Sequence, residues 1–270
     1  MNLRPVLVQL GAALAMALAS FSAAAAGPLL DEMTWTEVGD ALKAGHTTII
    51  IPIGGTEQNG PHMALGKHNF RAASLAVRIA AAVGNAIVAP VVNYVPEGRI
   101  SPPGGHMRFP GTISVPQEAF EGVLLGAARS LRQHGFRDIV FIGDSGNYQS
   151  SIAAVAARLN REWAGTPARA HPVPQYYQAA TTAFNEALRK RGITEAQIGT
   201  HAGLADTSLM LGVDASRIRD GAMRTPPAPE AASGVTGDPT QASAALGKIG
   251  ADLIVEHAAR AIRDAVAVRR

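Results

Sequence analysis

The sequence predicts an α/β layered domain with a largely parallel sheet. Short β-branched runs alternate with longer segments of helical spacing, and the clearest strand candidates end at glycine. The chain has 270 residues, 47% hydrophobic and 17% charged, which is enough to bury a sizeable core and excludes disorder for most of it. Aromatic residues are only 5%, so aliphatic side chains must fill that core.

The elements follow in order. Residues 1–26 read as a secretory signal: Arg4 precedes an apolar run over 6–21, and small residues end in an Ala-x-Ala site at Ala26. The expected mature chain is 27–270, soluble, exported to the periplasm or secreted, and without a membrane partner once cleaved. Residues 47–53 form the first strand and open into Gly54-Gly55. Helical spacing predicts a helix over 70–83, and residues 85–92 read as a second strand. Phe120, Val123, Leu124, Ala127 and Leu131 recur at helical intervals within 117–134. Residues 138–142 form a third strand that breaks at Gly143, and further helices are predicted over 147–163, 176–191 and 242–268. Residues 94–111 hold four prolines and four glycines and read as a long loop over the site.

Composition removes several functions. With no cysteine the chain has no disulfide scaffold, cysteine–zinc site, iron–sulfur cluster or cysteine nucleophile. A net charge of +3 without a dense Lys/Arg block predicts no nucleic-acid partner. A small-molecule substrate is expected instead.

Ligand sites in α/β sheets lie beyond the carboxyl ends of strands. The loop after the first strand carries Glu57, His62 and His68, and the loop after the third carries Asp144. A later segment of small residues holds His201 and Asp206. Carboxylates with imidazoles suit zinc, manganese or iron.

Five ordered blocks resemble the creatininase (creatinine amidohydrolase) family. They are Pro52-Ile-Gly-Gly-Thr-Glu-Gln-Asn-Gly-Pro-His62, Phe109-Pro-Gly-Thr112, Gly143-Asp-Ser-Gly-Asn147, His201-Ala-Gly-Leu-Ala-Asp-Thr-Ser208 and Gly234-Val-Thr-Gly-Asp-Pro239. The resemblance implies a three-layer α/β/α sandwich, a metal-dependent hydrolase of C–N bonds and a homo-oligomer, often a hexamer. By that resemblance Glu57 is a kept metal ligand, and Asn59, His68 and Asp144 stand where the family has His, Asp and His. The expected reading is one divalent metal, zinc first, on Glu57, His68 and Asp144. His201 is the expected acid/base and Asp206 its orienter or a fourth ligand, while His62 and His106 are read as structural or substrate-lining. Two other readings stay open: a non-catalytic binding protein on this scaffold, and a GDSL-type serine esterase using Ser145.

Overall fold

A computed structural model of the chain describes residues 29–268. The expected signal segment, 1–26, and the expected start at Gly27 lie outside the described residues. Strands β1 (Thr48–Ile53), β2 (Ala86–Val88), β3 (Asp138–Gly143) and β4 (Arg169–Pro172) form one sheet in the order β2-β1-β3-β4. Each neighbouring pair is parallel, as predicted. The α-helices before and between the strands are α1 (Trp35–Lys43), α2 (Lys67–Val83), α3 (Gln117–Gln133) and α4 (Gln149–Glu162). After β4, α5 (Gln175–Gln178) runs through a π-turn at Ala179–Ala183 into α6 (Phe184–Arg189). The short α7 (Glu195–Ile198), α8 (Leu204–Asp214), short α9 (Asp220–Met223), short α10 (Glu230–Ser233) and α11 (Ala244–Ala267) complete the chain order.

Alternation along the central strands makes the three layers. Ile50, Val140 and Ile142 point to one face and are buried under α2, α5, α6, α8 and α11. Ile49, Ile51, Ile53, Ile139 and Phe141 point to the other and are buried with α3 and α4, with α1 packed at the margin. Both faces are covered, which is why these strands read as near-continuous apolar runs.

The strand order fixes where a site can form. From β1 the chain crosses by α2 to β2 on one side; from β2 it crosses by α3, on the opposite face, to β3 on the other side. The connections therefore diverge between the adjacent carboxyl ends of β1 and β3, leaving a crevice there. The loops carrying Glu57 and Asp144 leave from those two strand ends.

Several bounds differ from the sequence pattern. Helix α2 begins at Lys67, not at residue 70, with Gly66 before it. Periodicity hides this turn because Lys67, His68 and Arg71 are polar, yet all three are buried. His68 therefore sits on a helix rather than in a loop. The second strand stops at Val88, and the chain rejoins β1 only through a bridge from Val92 to Ile53. The helix predicted over 176–191 is interrupted by the π-turn. Strand β4, Arg-Ala-His-Pro, has no β-branched residue to announce it.

Helices α8 and α11 approach at glycines. A Cβ added at Gly247 would lie 1.7 Å from the Ser208 carbonyl oxygen, a backbone atom that cannot turn aside. Gly247→Ala should therefore destabilise by about 2 kcal/mol, an overpacking cost. Chemical denaturation checks this. A gain of about 1 kcal/mol, the ordinary helix-propensity effect, would show that no close contact exists.

Candidate functional site

The crevice between the ends of β1 and β3 opens into a cavity of about 450 Å³. Glu57, Lys67, His68, Arg71, Asp144 and Asp206 stand together on its wall, faced by His106 and His201. Lys67, His68 and Arg71 come from the start of α2, and the others from separate loops and from α8. Tyr148 ties the strand ends: its hydroxyl donates to the Gly54 carbonyl at 2.6 Å and accepts the Ser145 N–H at 3.0 Å. Lys67 and Arg71, four residues apart on the first turns of α2, reach into the crevice from one helical face.

The structure brings Glu57, His68 and Asp144 together, but through hydrogen bonds among themselves. His68 Nδ1 lies 2.6 Å from Asp144 Oδ2 and Nε2 lies 2.8 Å from Glu57 Oε1. Such approaches to carboxylate oxygens require a proton at each ring nitrogen, so His68 is an imidazolium. Burial and Lys67 oppose that charge, but the Glu57 and Asp144 carboxylates prevail and raise the His68 pKa. Asp144 is fully engaged. Its Oδ2 also accepts Arg71 Nε at 2.9 Å and Nη2 at 2.7 Å, and its Oδ1 accepts the Tyr176 hydroxyl at 2.8 Å. Burial would raise its pKa, but Arg71 and His68 hold it low.

Asp206 accepts Arg71 Nη1 at 2.5 Å, Lys67 Nζ, and the Ala202 N–H at 3.0 Å. The last bond matters locally because Ala202 has φ 54°, a left-handed conformation that disfavours a residue with a Cβ. Asp206 thus holds the turn that carries His201, and acts on that residue through the backbone. Burial works against its charge, but Lys67 and Arg71 keep its pKa well below the usual carboxylate range.

His201 is set from three directions. Its backbone pairs with Thr236, its ring lies 4.5 Å from that of His106, and its Nε2 donates to the Gln58 carbonyl at 2.9 Å. That carbonyl only accepts, so Nδ1 carries the lone pair, and it faces Glu57 Oε1 at 3.7 Å. Burial, then Lys67, lowers the His201 pKa to about 4 and keeps the ring neutral. Burial lowers the His106 pKa as well, and His106 Nε2 lies 3.2 Å from Glu57 Oε2. One ligand atom from each of Glu57, His106 and His201 lies within 4.8 Å of the others, so this trio can hold a metal. His106 was expected only to line the site; a histidine inside a proline-rich loop carries no spacing signal. His62 is structural, its Nε2 hydrogen-bonded to Thr207 at 2.9 Å. Ser145 Oγ accepts the Asn147 N–H at 3.3 Å, and among the described residues no histidine hydrogen-bonds to it, so nothing here favours the serine-esterase reading.

Sequence reasoning missed Glu97. It is buried in the long loop, accepts Asn147 Nδ2 at 3.0 Å through Oε2, and its carboxyl is hydrogen-bonded to that of Glu57. Burial, reinforced by the Glu57 charge, pushes its pKa up to about 8. The one signal in the sequence was an acid flanked by Pro96 and Gly98 in a loop already marked as functional.

An α/β/α protein with carboxylates and imidazoles gathered at its switch point belongs to the metal-hydrolase class of site. The creatininase family profile, creatinine amidohydrolase, matches residues 31–262, and the chain belongs to that family. It is 28% identical over 252 residues to a creatinine amidohydrolase of Pseudomonas putida, covering 86% of this chain and 95% of the relative. It is 30% identical over 205 residues to a mycofactocin precursor peptide peptidase of Mycolicibacterium smegmatis, covering 74% and 78%. A solved manganese creatininase superposes with TM-score 0.72 at 25% identity, covering 88% of this chain and 98% of that one.

Glu97 makes stability depend on pH. The folded chain keeps its proton up to about pH 8, whereas an unfolded glutamate releases it near 4.5. Its contribution is therefore complete below about pH 4.5 and is lost as pH rises towards 8. In metal-free protein Glu97→Gln, neutral throughout, should gain on the wild type between about pH 5 and about pH 9. Urea denaturation at the two pH values checks this; an equal gap at both would mean that Glu97 ionises normally.

Proposed function

We propose that this chain hydrolyses an amide, lactam or cyclic-amide C–N bond of a small molecule with the help of one divalent metal held by Glu57, His106 and His201. The observation that carries this is the convergence of one carboxylate and two imidazoles on the wall of a cavity sized for a small substrate. Two histidines and a glutamate suit zinc first, with manganese or iron also accommodated. When bound, such an ion polarises the scissile carbonyl and brings the pKa of its water to about 7.

The chain's own residues do the rest. Gln58 orients both imidazoles: its backbone carbonyl fixes the His201 tautomer, and its side-chain Nε2 contacts His106 Nδ1 at 3.1 Å. That amide is itself pinned, because Oε1 accepts the Gly60 N–H and Nε2 donates to the Gly234 carbonyl. Held this way, His106 turns its Nε2 towards Glu57 Oε2, the side on which the trio would hold an ion. Asn147, Tyr177, Thr181, Asn185 and Thr200 give the cavity neutral polar groups for a small amide. The long loop supplies His106 and covers one side, limiting water. Residues 1–26 favour export, so the substrate would be met in the periplasm or outside the cell.

In the metal-free chain the His201 Nδ1 lone pair is instead available as a general base for water. The two roles separate experimentally. On small cyclic amides, chelation should abolish turnover and zinc or manganese should restore it, and His106→Ala should lower kcat/KM by at least about a hundredfold. Full turnover in chelator, lost only in His201→Ala, would replace the metal reading with the general-base one.

A further inference from the structure

The residues beside Glu57 present a different chemistry from a metal centre. Three carboxylates meet here, Glu57 and Asp144 buried to 2% and 4% exposure and Asp206 partly buried. Against them stand Lys67 at 1% exposure, Arg71 at 4% and the His68 imidazolium. Lys67 Nζ contacts Asp206 Oδ2 and lies 3.4 Å from Glu57 Oε1. Arg71 spans Asp144 and Asp206 with three of its donors. Three anions and three cations balance, and both Asp144 oxygens and both His68 nitrogens are engaged.

A divalent ion among Glu57, His68 and Asp144 would have to part His68 from the two carboxylates that its ring nitrogens meet at 2.6 and 2.8 Å. It would also have to displace Arg71 from Asp144 and sit close to a buried ammonium. Either cation, in swinging away, would strip two carboxylates of one of their cationic partners. The residues here do not fit a metal.

We infer that Lys67 and Arg71 are the resident cations of this site: they hold Asp144 and Asp206 in place of a metal ion, and the Glu57–His68–Asp144 position binds none. Their fixed charges do the structural part of an ion's work. They neutralise the strand-end acids, keep Asp206 on the Ala202 turn, and so position His201. Unlike an ion they cannot exchange, and they present no open coordination position to a substrate. They are positioning residues; any metal the protein takes lies on the His106 side of Glu57.

The test is a titration of the whole chain, stripped with chelator and then loaded with zinc or manganese, followed by elemental analysis. At most one ion per chain is expected, lost in His106→Ala and kept in Asp144→Asn. Two ions per chain, or an ion that survives His106→Ala and disappears in Asp144→Asn, would overturn the inference. A wild type that takes no ion agrees with it while removing the metal from the proposed function, so the two readings fail separately. Lys67→Met, of similar length without the charge, should lower the Tm of the stripped protein by about 5 °C, because Glu57 and Asp206 each lose one of their cationic partners. An unchanged or higher Tm would also overturn it. If Lys67→Met does not fold, the wild-type and His106→Ala titrations decide.

Discussion

Three carboxylates gathered at the carboxyl ends of a buried parallel sheet need counter-charges, and the rest of the site follows from how the chain supplies them. An unpaired ion in such a place costs several kcal/mol, enough to unfold a marginally stable domain. Here the first turns of α2 provide Lys67, His68 and Arg71 together, so one helix end neutralises groups from three separate segments. Asp206 in turn reaches back to the Ala202 N–H, and that bond sets the turn on which His201 rides. Charge balance and the orientation of the reactive imidazole are thus one network.

The fold makes this meeting possible without any single segment carrying the site. β1 and β3 are adjacent and parallel, their connections diverge, and the loops that follow them face each other across the crevice. The later segments act as braces: Thr236 pairs with His201, and Gly234 accepts from the Gln58 side chain. The long proline-rich loop adds His106 from the open side. Glu57 lies where the two halves touch, with Oε1 turned to His68, Lys67 and His201 and Oε2 to His106.

Much of this was legible beforehand, and the rest was hidden for identifiable reasons. Strands β1 and β3 announce themselves because burial on both faces demands β-branched and apolar runs. Glu57, Asp144, His201 and Asp206 were visible as acids and imidazoles in small-residue segments, and the structure does place them around one cavity. Their pairing was not visible. Nothing in the pattern singles out Lys67 and Arg71, and only the fold reveals that both are buried against carboxylates. His68 looked like a ligand because residue type does not report protonation; two carboxylates at its two nitrogens decide that. His106 and Glu97 come from an irregular loop, where no periodicity links a residue to its neighbours in space.

Membership of a hydrolase family therefore coexists with an altered centre. The scaffold is that of the family, while side-chain cations stand among the acids at the strand ends. The account divides the site sharply into a saturated half and a half that can take an ion. Anomalous diffraction from manganese-soaked crystals tests that division most directly. The account predicts one peak among Glu57, His106 and His201, with Lys67 still on Asp206 and Arg71 still on Asp144. A peak between Asp144 and His68, with Lys67 or Arg71 swung away, would contradict it.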